Sequence, residues 1–218
     1  MLRINVAFQK IQDGESVTSA AFDAGYESLS GFADSFKSVF GIAPSGSKHQ
    51  QVIYSTRFDS PLGPMIACAV EQGICLLEFS DRKMLETELK FLTRKLNAQI
   101  IPGPSPHFDQ LQTELAAYFE GKRAQFTVPI STPGTEFQHQ VWDMLRTIPY
   151  GTTRSYKQQA IKLQKPEAIR AVAGANGMNR IAIIIPCHRV IGEDGSLTGY
   201  GGGLFRKQWL LDFERSHR

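Results

Sequence analysis

At 218 residues the chain can bury a sizeable core, shared between two or three small domains. Its 42% hydrophobic and 21% charged residues describe a globular protein, and no apolar run approaches the roughly 20 residues that cross a bilayer. The net charge of +3 is unevenly placed: residues 133–218 carry 12 Lys/Arg against 7 Asp/Glu, residues 51–132 carry 8 against 9, and residues 1–50 carry 4 against 5.

The opening Met1-Leu2-Arg3-Ile4-Asn5 lacks the apolar core of a secretory signal, which predicts a cytoplasmic protein. Val6 and Ile11 suggest a first helix ending near Gly14. Residues 16–26 predict a second, stopped by Gly25. Ser28 or Ser30 then caps a third, with Phe32, Phe36, Val39 and Phe40 as its apolar stripe before Gly41. Helix, glycine turn, helix is the helix-turn-helix pattern, and it defines a first unit over residues 1–45. A linker is expected over residues 46–51.

Strands are predicted over residues 52–58, 65–70 and 74–79. Helices follow over 83–95, with Met84, Leu85, Leu89 and Leu92 inward, and over 108–119. A last strand is expected at 126–130. This α/β unit, residues 52–132, shows no catalytic set, and Cys68 and Cys75 read as core residues.

The unit over residues 133–218 opens with a capping box, Thr135-x-x-Gln138. The helix it starts has Phe137, Val141, Met144, Leu145 and Ile148 inward and is ended by Pro149 and Gly151. Helices over 155–163 and 166–176, the latter with Pro166 and Glu167 in its first turn, form a second helix-turn-helix. The last helix, Ile169-Arg170-Ala171-Val172-Ala173-Gly174-Ala175, is bare except for one long cation. Such a face suits either close packing inside the protein or close approach to another surface. The positive excess of this unit points to phosphate contacts.

The chain is organised around Ile183-Ile184-Ile185-Pro186-Cys187-His188-Arg189-Val190. An apolar run, expected as a buried strand, halts at a proline that cannot donate a backbone hydrogen bond. It delivers a thiol to the edge of the core, where His188 and Arg189 are expected to favour the reactive thiolate. The three cysteines make no Cys-x-x-Cys pair and the five histidines are scattered, so no metal site is expected. Tyr200-Gly201-Gly202-Gly203 has neither the Walker nor the dinucleotide spacing, and no cofactor is expected.

Pro186-Cys187-His188-Arg189-Val190, with the run from Gly199 through Leu204 and Trp209-Leu210-Leu211, resembles the active-site region of the O6-alkylguanine-DNA alkyltransferases. The likeness covers roughly residues 52–214. It implies an α+β fold, with a ribonuclease-H-like domain of structural role (52–132) and a winged-helix-like, DNA-binding catalytic domain (133–218). Residues 36–44, Phe-Lys-x-x-Phe-Gly-x-x-Pro, are similar to the end of the second DNA-binding repeat of arabinose-regulator (AraC) activators.

The resemblance implies a role for each matched residue. Cys187 accepts the alkyl group, His188 acts on it through a water and Glu214 orients the histidine. Tyr156 donates to the departing guanine, and Asn179 braces the turn before the apolar run. Pro186, Val190, Tyr200, Gly201 and Gly202 surround the substrate base; many relatives have a serine where Gly201 stands. Arg170 fills the space left by the flipped base, with Ala171, Ala173, Gly174 and Ser155 against the minor groove of alkylated double-stranded DNA.

The implied reaction is single-turnover repair of O6-methylguanine, with O4-methylthymine a lesser substrate, by a monomer without cofactor. A thiol hydrolase with true turnover, or a transcription regulator relying on residues 1–50, are the competing readings.

Overall fold

The computed structural model describes residues 3–49 and 51–218, so Met1, Leu2 and, within the expected linker, Gln50 lie outside the described residues. Three helices come first: α1 (Arg3–Gln12), α2 (Val17–Asp23) and α3 (Leu29–Phe40). Ser16 and Ser28 cap the second and third by accepting from the backbone N–H of Ser19 and Gly31, and Gly41, at φ 72°, closes α3. Phe8, Phe32, Phe36 and Phe40 stack into one cluster with ring centroids 4.6–5.6 Å apart. Val39, expected on this stripe, is 52% exposed, because the i, i+4 spacing of the phenylalanines leaves it off the buried face.

The expected linker is not a loose tether. Pro44–His49 form a 3-10 helix with Ser47 buried, its hydroxyl donating to the Pro44 carbonyl and its own carbonyl accepting from Gln12. Four strands then form a sheet: β1 (Gln51–Ser60), β2 (Gly63–Val70), β3 (Gly73–Phe79) and β4 (Ala98–Pro102), in the order β3-β2-β1-β4. All pairs are antiparallel except β1 with β4. The helical unit rests on β4: Ile101 is buried in the phenylalanine cluster, Val52 and Tyr54 pack against it, and the Gln99 amide donates to the Phe40 carbonyl at 2.8 Å.

Helix α4 (Leu85–Lys95) covers one sheet face, where Ile53, Ile66, Cys68, Cys75, Leu76 and Leu92 are packed. Burial pushes both thiols well up, as suits inert core residues. Met84 precedes the helix and is 40% exposed, so it does not face inward. Helix α5 (Pro106–Phe119) covers the other face. Residues 126–130 do not form a strand: Ile130 makes a single bridge to Ile74, since Pro129 has no N–H and offers only its carbonyl to Ile74.

The remaining elements are α6 (Glu136–Arg146), β5 (Arg154–Ser155), α7 (Tyr156–Lys162), α8 (Ile169–Gly177), β6 (Val190–Ile191) and α9 (Leu204–Ser216). Both Thr135 and Ser155 make complete capping boxes, with Gln138 and Gln158. One core joins this half to the sheet: Val141, Trp142, Leu145, Ile181–Ile185 and Leu210 lie in the same cluster as Leu77, Phe79 and Tyr118. The open edge of β3 takes up the approach to Cys187, with Leu77 N–H donating to the Arg180 carbonyl and Ala182 N–H to the Leu77 carbonyl, both at 2.8 Å.

The apolar run before Cys187 is not a strand. Ile181 makes one bridge to Leu77, and the chain then turns back on itself, with Ile185 N–H donating to the Ile181 carbonyl at 3.1 Å. Ile183 sits at φ 68°, a left-handed conformation that a β-branched residue adopts only when its surroundings impose it. A continuous apolar run reports enclosure, and an enclosed turn satisfies it as well as a strand. No helix among the described residues is long and apolar enough to cross a membrane.

Candidate active site

Cys187 is half-buried and begins a 3-10 turn, Cys187–Arg189, directly after the strained turn. Asn179 organises both. Its side-chain oxygen accepts from Ile181 N–H at 2.9 Å, and its amide donates to the Ile185 carbonyl at 2.8 Å and to Cys187 Sγ at 3.1 Å. The residue expected to brace the turn therefore also touches the sulfur.

His188 is fully buried, and its Nε2 lies 2.9 Å from Glu214 Oε1. Glu214 also accepts from Tyr118 Oη (2.8 Å), from Arg189 Nε and Nη2 (2.8 and 2.9 Å) and from Gly151 N–H (3.1 Å). Burial alone would raise the Glu214 carboxyl, but the hydrogen bonds and charges of His188 and Arg189 overcome it and hold the group well below the usual carboxylate range. An ionised carboxylate only accepts, so His188 donates from Nε2. Burial lowers the imidazole pKa against the pull of Glu214, and a neutral ring keeps a lone pair at Nδ1, which has no protein partner.

The thiol's electrostatics differ from the expectation. Burial pushes Cys187 up to about 11, the Asn179 hydrogen bond pulls it down, the Glu78 carboxylate raises it, and the nearby cations that lower it are Lys207 and Arg82. The neighbours in sequence do not serve as counter-ions: Arg189 is spent on Glu214 and the Ile148 carbonyl, and His188 is neutral. Lys207 is completely buried, with Nζ on the carbonyls of Val190 (2.5 Å) and Thr198 (2.6 Å). Burial brings it down to about 8, while the Cys187 charge acts to raise it.

Beside this centre lies a cleft of about 740 Å³, walled by Tyr156, Arg170, Ala173, Gly177 and Thr198, by the loop from Gly199 to Gly203, and by Arg82 and Arg206 from either side. Cys187 is not on its wall, although its charge acts on Tyr156 and Tyr200. Tyr156 Oη donates to the Thr198 carbonyl at 3.4 Å, and burial pushes its pKa up, so the phenol is protonated and able to donate at neutral pH.

Of the five residues expected around the base, Tyr200, Gly201 and Gly202 line the cleft. Pro186 faces a separate groove with Ile183, Ile184 and Arg189, and Val190 is fully buried in β6. The glycines are small because of protein neighbours. A Cβ at Gly201 would stand 2.9 Å from Arg82 Cζ, and one at Gly202 would stand 2.7 Å from the Phe79 ring.

Helix α8 resolves the choice left open for its bare face. Arg170, Ala171, Gly174 and Gly177 are exposed and Ala173 half-buried, while Val172, Ala175 and Asn176 pack inward. The small residues therefore face solvent next to the cleft, and nothing lies within 4 Å of a Cβ placed on Gly174. Ser155, expected on DNA, is instead buried: its Oγ accepts from Gln158 N–H and donates to Glu193 at 2.6 Å, so its side chain is already engaged.

Sequence reasoning missed Arg82, Glu78, Lys207 and Tyr118, and gave Arg189 to the thiol rather than to Glu214. Two left a signal: Glu78 interrupts the apolar run of β3, and Lys207 shares a helical stripe with Leu210, Leu211 and Glu214. A charge on a buried face must have a partner. Among the described residues, no three His, Cys, Asp or Glu side chains gather to hold a metal ion.

Residues 136–216 match the family model described as 6-O-methylguanine DNA methyltransferase, DNA binding domain, and residues 53–132 match its ribonuclease-like domain. A methylated-DNA–protein-cysteine methyltransferase of Methanosarcina barkeri is 42% identical over 166 residues, covering 76% of this chain and 99% of that one. One of Mycobacterium tuberculosis is 44% identical over 165 residues, covering 76% and 94%. The crystal structure of Mycobacterium tuberculosis OGT in complex with DNA superposes with a TM-score of 0.65 at 41% identity, over 75% of this chain and 94% of that one. The O6-methylguanine-DNA methyltransferase of Pyrococcus kodakaraensis, 24% identical over 74% of this chain and 98% of that one, shares the fold at a TM-score of 0.52.

Proposed function

Because the chain belongs to the methylated-DNA–protein-cysteine methyltransferase family, we propose that Cys187 takes the alkyl group from O6-methylguanine in double-stranded DNA. The observation that carries this is the Asn179–Cys187 contact, set beside a neutral, Glu214-backed histidine and a cleft flanked by an exposed arginine-bearing helix.

The lesion carbon is buried in the base stack, so the base is rotated out at a cost of a few kcal/mol, least for a base that pairs poorly. Helix α8 enters the minor groove with its small residues against the backbone, and Arg170 holds the space the base leaves. The flipped guanine occupies the cleft between Tyr156 and the loop at Tyr200.

The thiol proton passes through a water to His188 Nδ1, and the resulting imidazolium is stabilised by Glu214. Cys187 Sγ attacks the methyl carbon, a carbon–sulfur bond forms, and the carbon–oxygen bond breaks with its electron pair leaving on guanine. Tyr156 protonates the departing base. The product thioether has no activated leaving group, so each molecule acts once. O4-methylthymine is a lesser substrate, and the protein works in the cytoplasm without a cofactor.

Mass spectrometry after incubation with duplexes carrying either lesion tests this. One methyl group is expected, confined to the peptide containing Cys187 and absent from the Cys187→Ser variant. Repeated conversion of excess duplex would overturn the single-use claim and favour a hydrolase.

A further inference from the structure

The ribonuclease-like domain was expected to be structural, yet one of its side chains reaches the turn that holds the sulfur. Arg82 follows β3, is 6% exposed, and donates across the domain boundary from Nη1 to the Asn179 carbonyl (3.0 Å) and from Nη2 to the Gly177 carbonyl (2.9 Å). The same two nitrogens also meet carboxylates: Nη1 pairs with the buried Glu78, and Nη2 lies 3.7 Å from Glu88. Glu88 in turn pairs with Arg180, whose guanidinium lies 4.1 Å over the Phe91 ring and donates to the Pro133 carbonyl. The alternating charges Glu78, Arg82, Glu88 and Arg180 thus bracket Asn179 on both sides.

We propose that Arg82 is a positioning residue for alkyl transfer, fixing the peptide of Asn179 so that its amide meets Cys187 Sγ, and fixing the end of helix α8 at Gly177 by the same guanidinium. Three observations converge on this. The two carbonyls belong to the last residue of the DNA-facing helix and to the residue touching the sulfur. The guanidinium forms part of the cleft wall. It also stands where a side chain at position 201 would begin, with Cζ 2.9 Å from a Cβ built there, which accounts for the glycine. A planar fork with both carbonyls and a carboxylate around it is suited to arginine and poorly served by lysine.

The inference rests on the alkyl-transfer reading. Its test is the single-turnover rate of methyl transfer from an O6-methylguanine duplex, measured for wild type, Arg82→Ala, Asn179→Ala and the double variant. Arg82→Ala is expected to slow transfer on the order of 10- to 100-fold, the range for misplacing a reacting group by an ångström or less. In the Asn179→Ala background the Arg82 effect should largely vanish, because the two act through one peptide.

A wild-type rate for Arg82→Ala, or an equal loss in both backgrounds, overturns the proposal. Should Arg82→Ala fail to fold, Arg82→Lys takes its place: one ammonium cannot span both carbonyls and Glu78, so a smaller loss with the same non-additivity is expected, and an additive loss overturns it. Failure of the wild-type protein to methylate Cys187 would sink the alkyl-transfer reading instead.

Discussion

Replacing Glu214 with glutamine keeps the shape of the side chain and removes its charge, and the consequences follow from its surroundings. The carboxylate is fully buried and accepts from Tyr118, His188, Gly151 and twice from Arg189. The amide offers one acceptor oxygen and turns an NH2 group toward donors, leaving the Arg189 guanidinium buried without a counter-ion. Removing one partner of such a pair costs about 3–5 kcal/mol. For a chain of this size each kcal/mol lowers Tm by about 2–4 °C, so a fall of roughly 6–20 °C is expected.

The pH dependence has a fixed sign. The folded-state pKa lies below the ordinary 4.5, so the unfolded chain binds the proton first, and the contribution is complete above that value and lost on acidification toward the folded-state pKa. Denaturant melts followed by circular dichroism at pH 7 and at pH 4 measure both effects. A loss under about 1 kcal/mol at pH 7, or a difference between the proteins that grows as pH falls, would refute the reasoning.

Asn179→Ala removes the amide that stabilises the thiolate, so the pH midpoint for alkylation of Cys187 by iodoacetamide should rise. Glu78→Gln removes a charge that disfavours the thiolate and should lower that midpoint. Gly202→Ala places a methyl group 2.7 Å from the Phe79 ring and 2.8 Å from that of Tyr200, and should cost about 1–3 kcal/mol in urea melts while slowing transfer by shifting Tyr200. Gly174→Ala meets nothing within 4 Å and should add about 0.5–1 kcal/mol of stability by favouring the helix. The same variant should weaken duplex binding if the bare face is there to approach DNA, which a fluorescence-anisotropy titration reads directly.

Local signals were legible where local chemistry decides the outcome. The caps at Ser28 and Thr135 depend on a hydroxyl and a backbone N–H three residues on, and both formed. The motif at Cys187 was likewise within reach of residue order, whereas the Glu214 partnership with His188 came through the family resemblance and residue order left the face of α8 open. What failed depends on residues distant in the chain. Strand β4 exists because β1 pairs with it, and the apolar run before Cys187 makes only one bridge, to Leu77 on β3, before it turns. Arg82 stands 97 positions from the peptide it holds, and no periodicity carries that distance. Pro186 and Val190 adjoin the reactive thiol in sequence, but the chain turns them away from the cleft.

The seat of the first three helices on β4 has a consequence for how the chain avoids sticking to its own kind. As the outermost strand, β4 would otherwise offer an unclaimed ladder of peptide groups, with Ile101 and the neighbouring Val52 and Tyr54 of β1 bare beside it, to any passing copy. The phenylalanine cluster covers those apolar side chains, and the Gln99 amide ties the strand to the end of α3, whether or not the same helices ever read a nucleotide sequence.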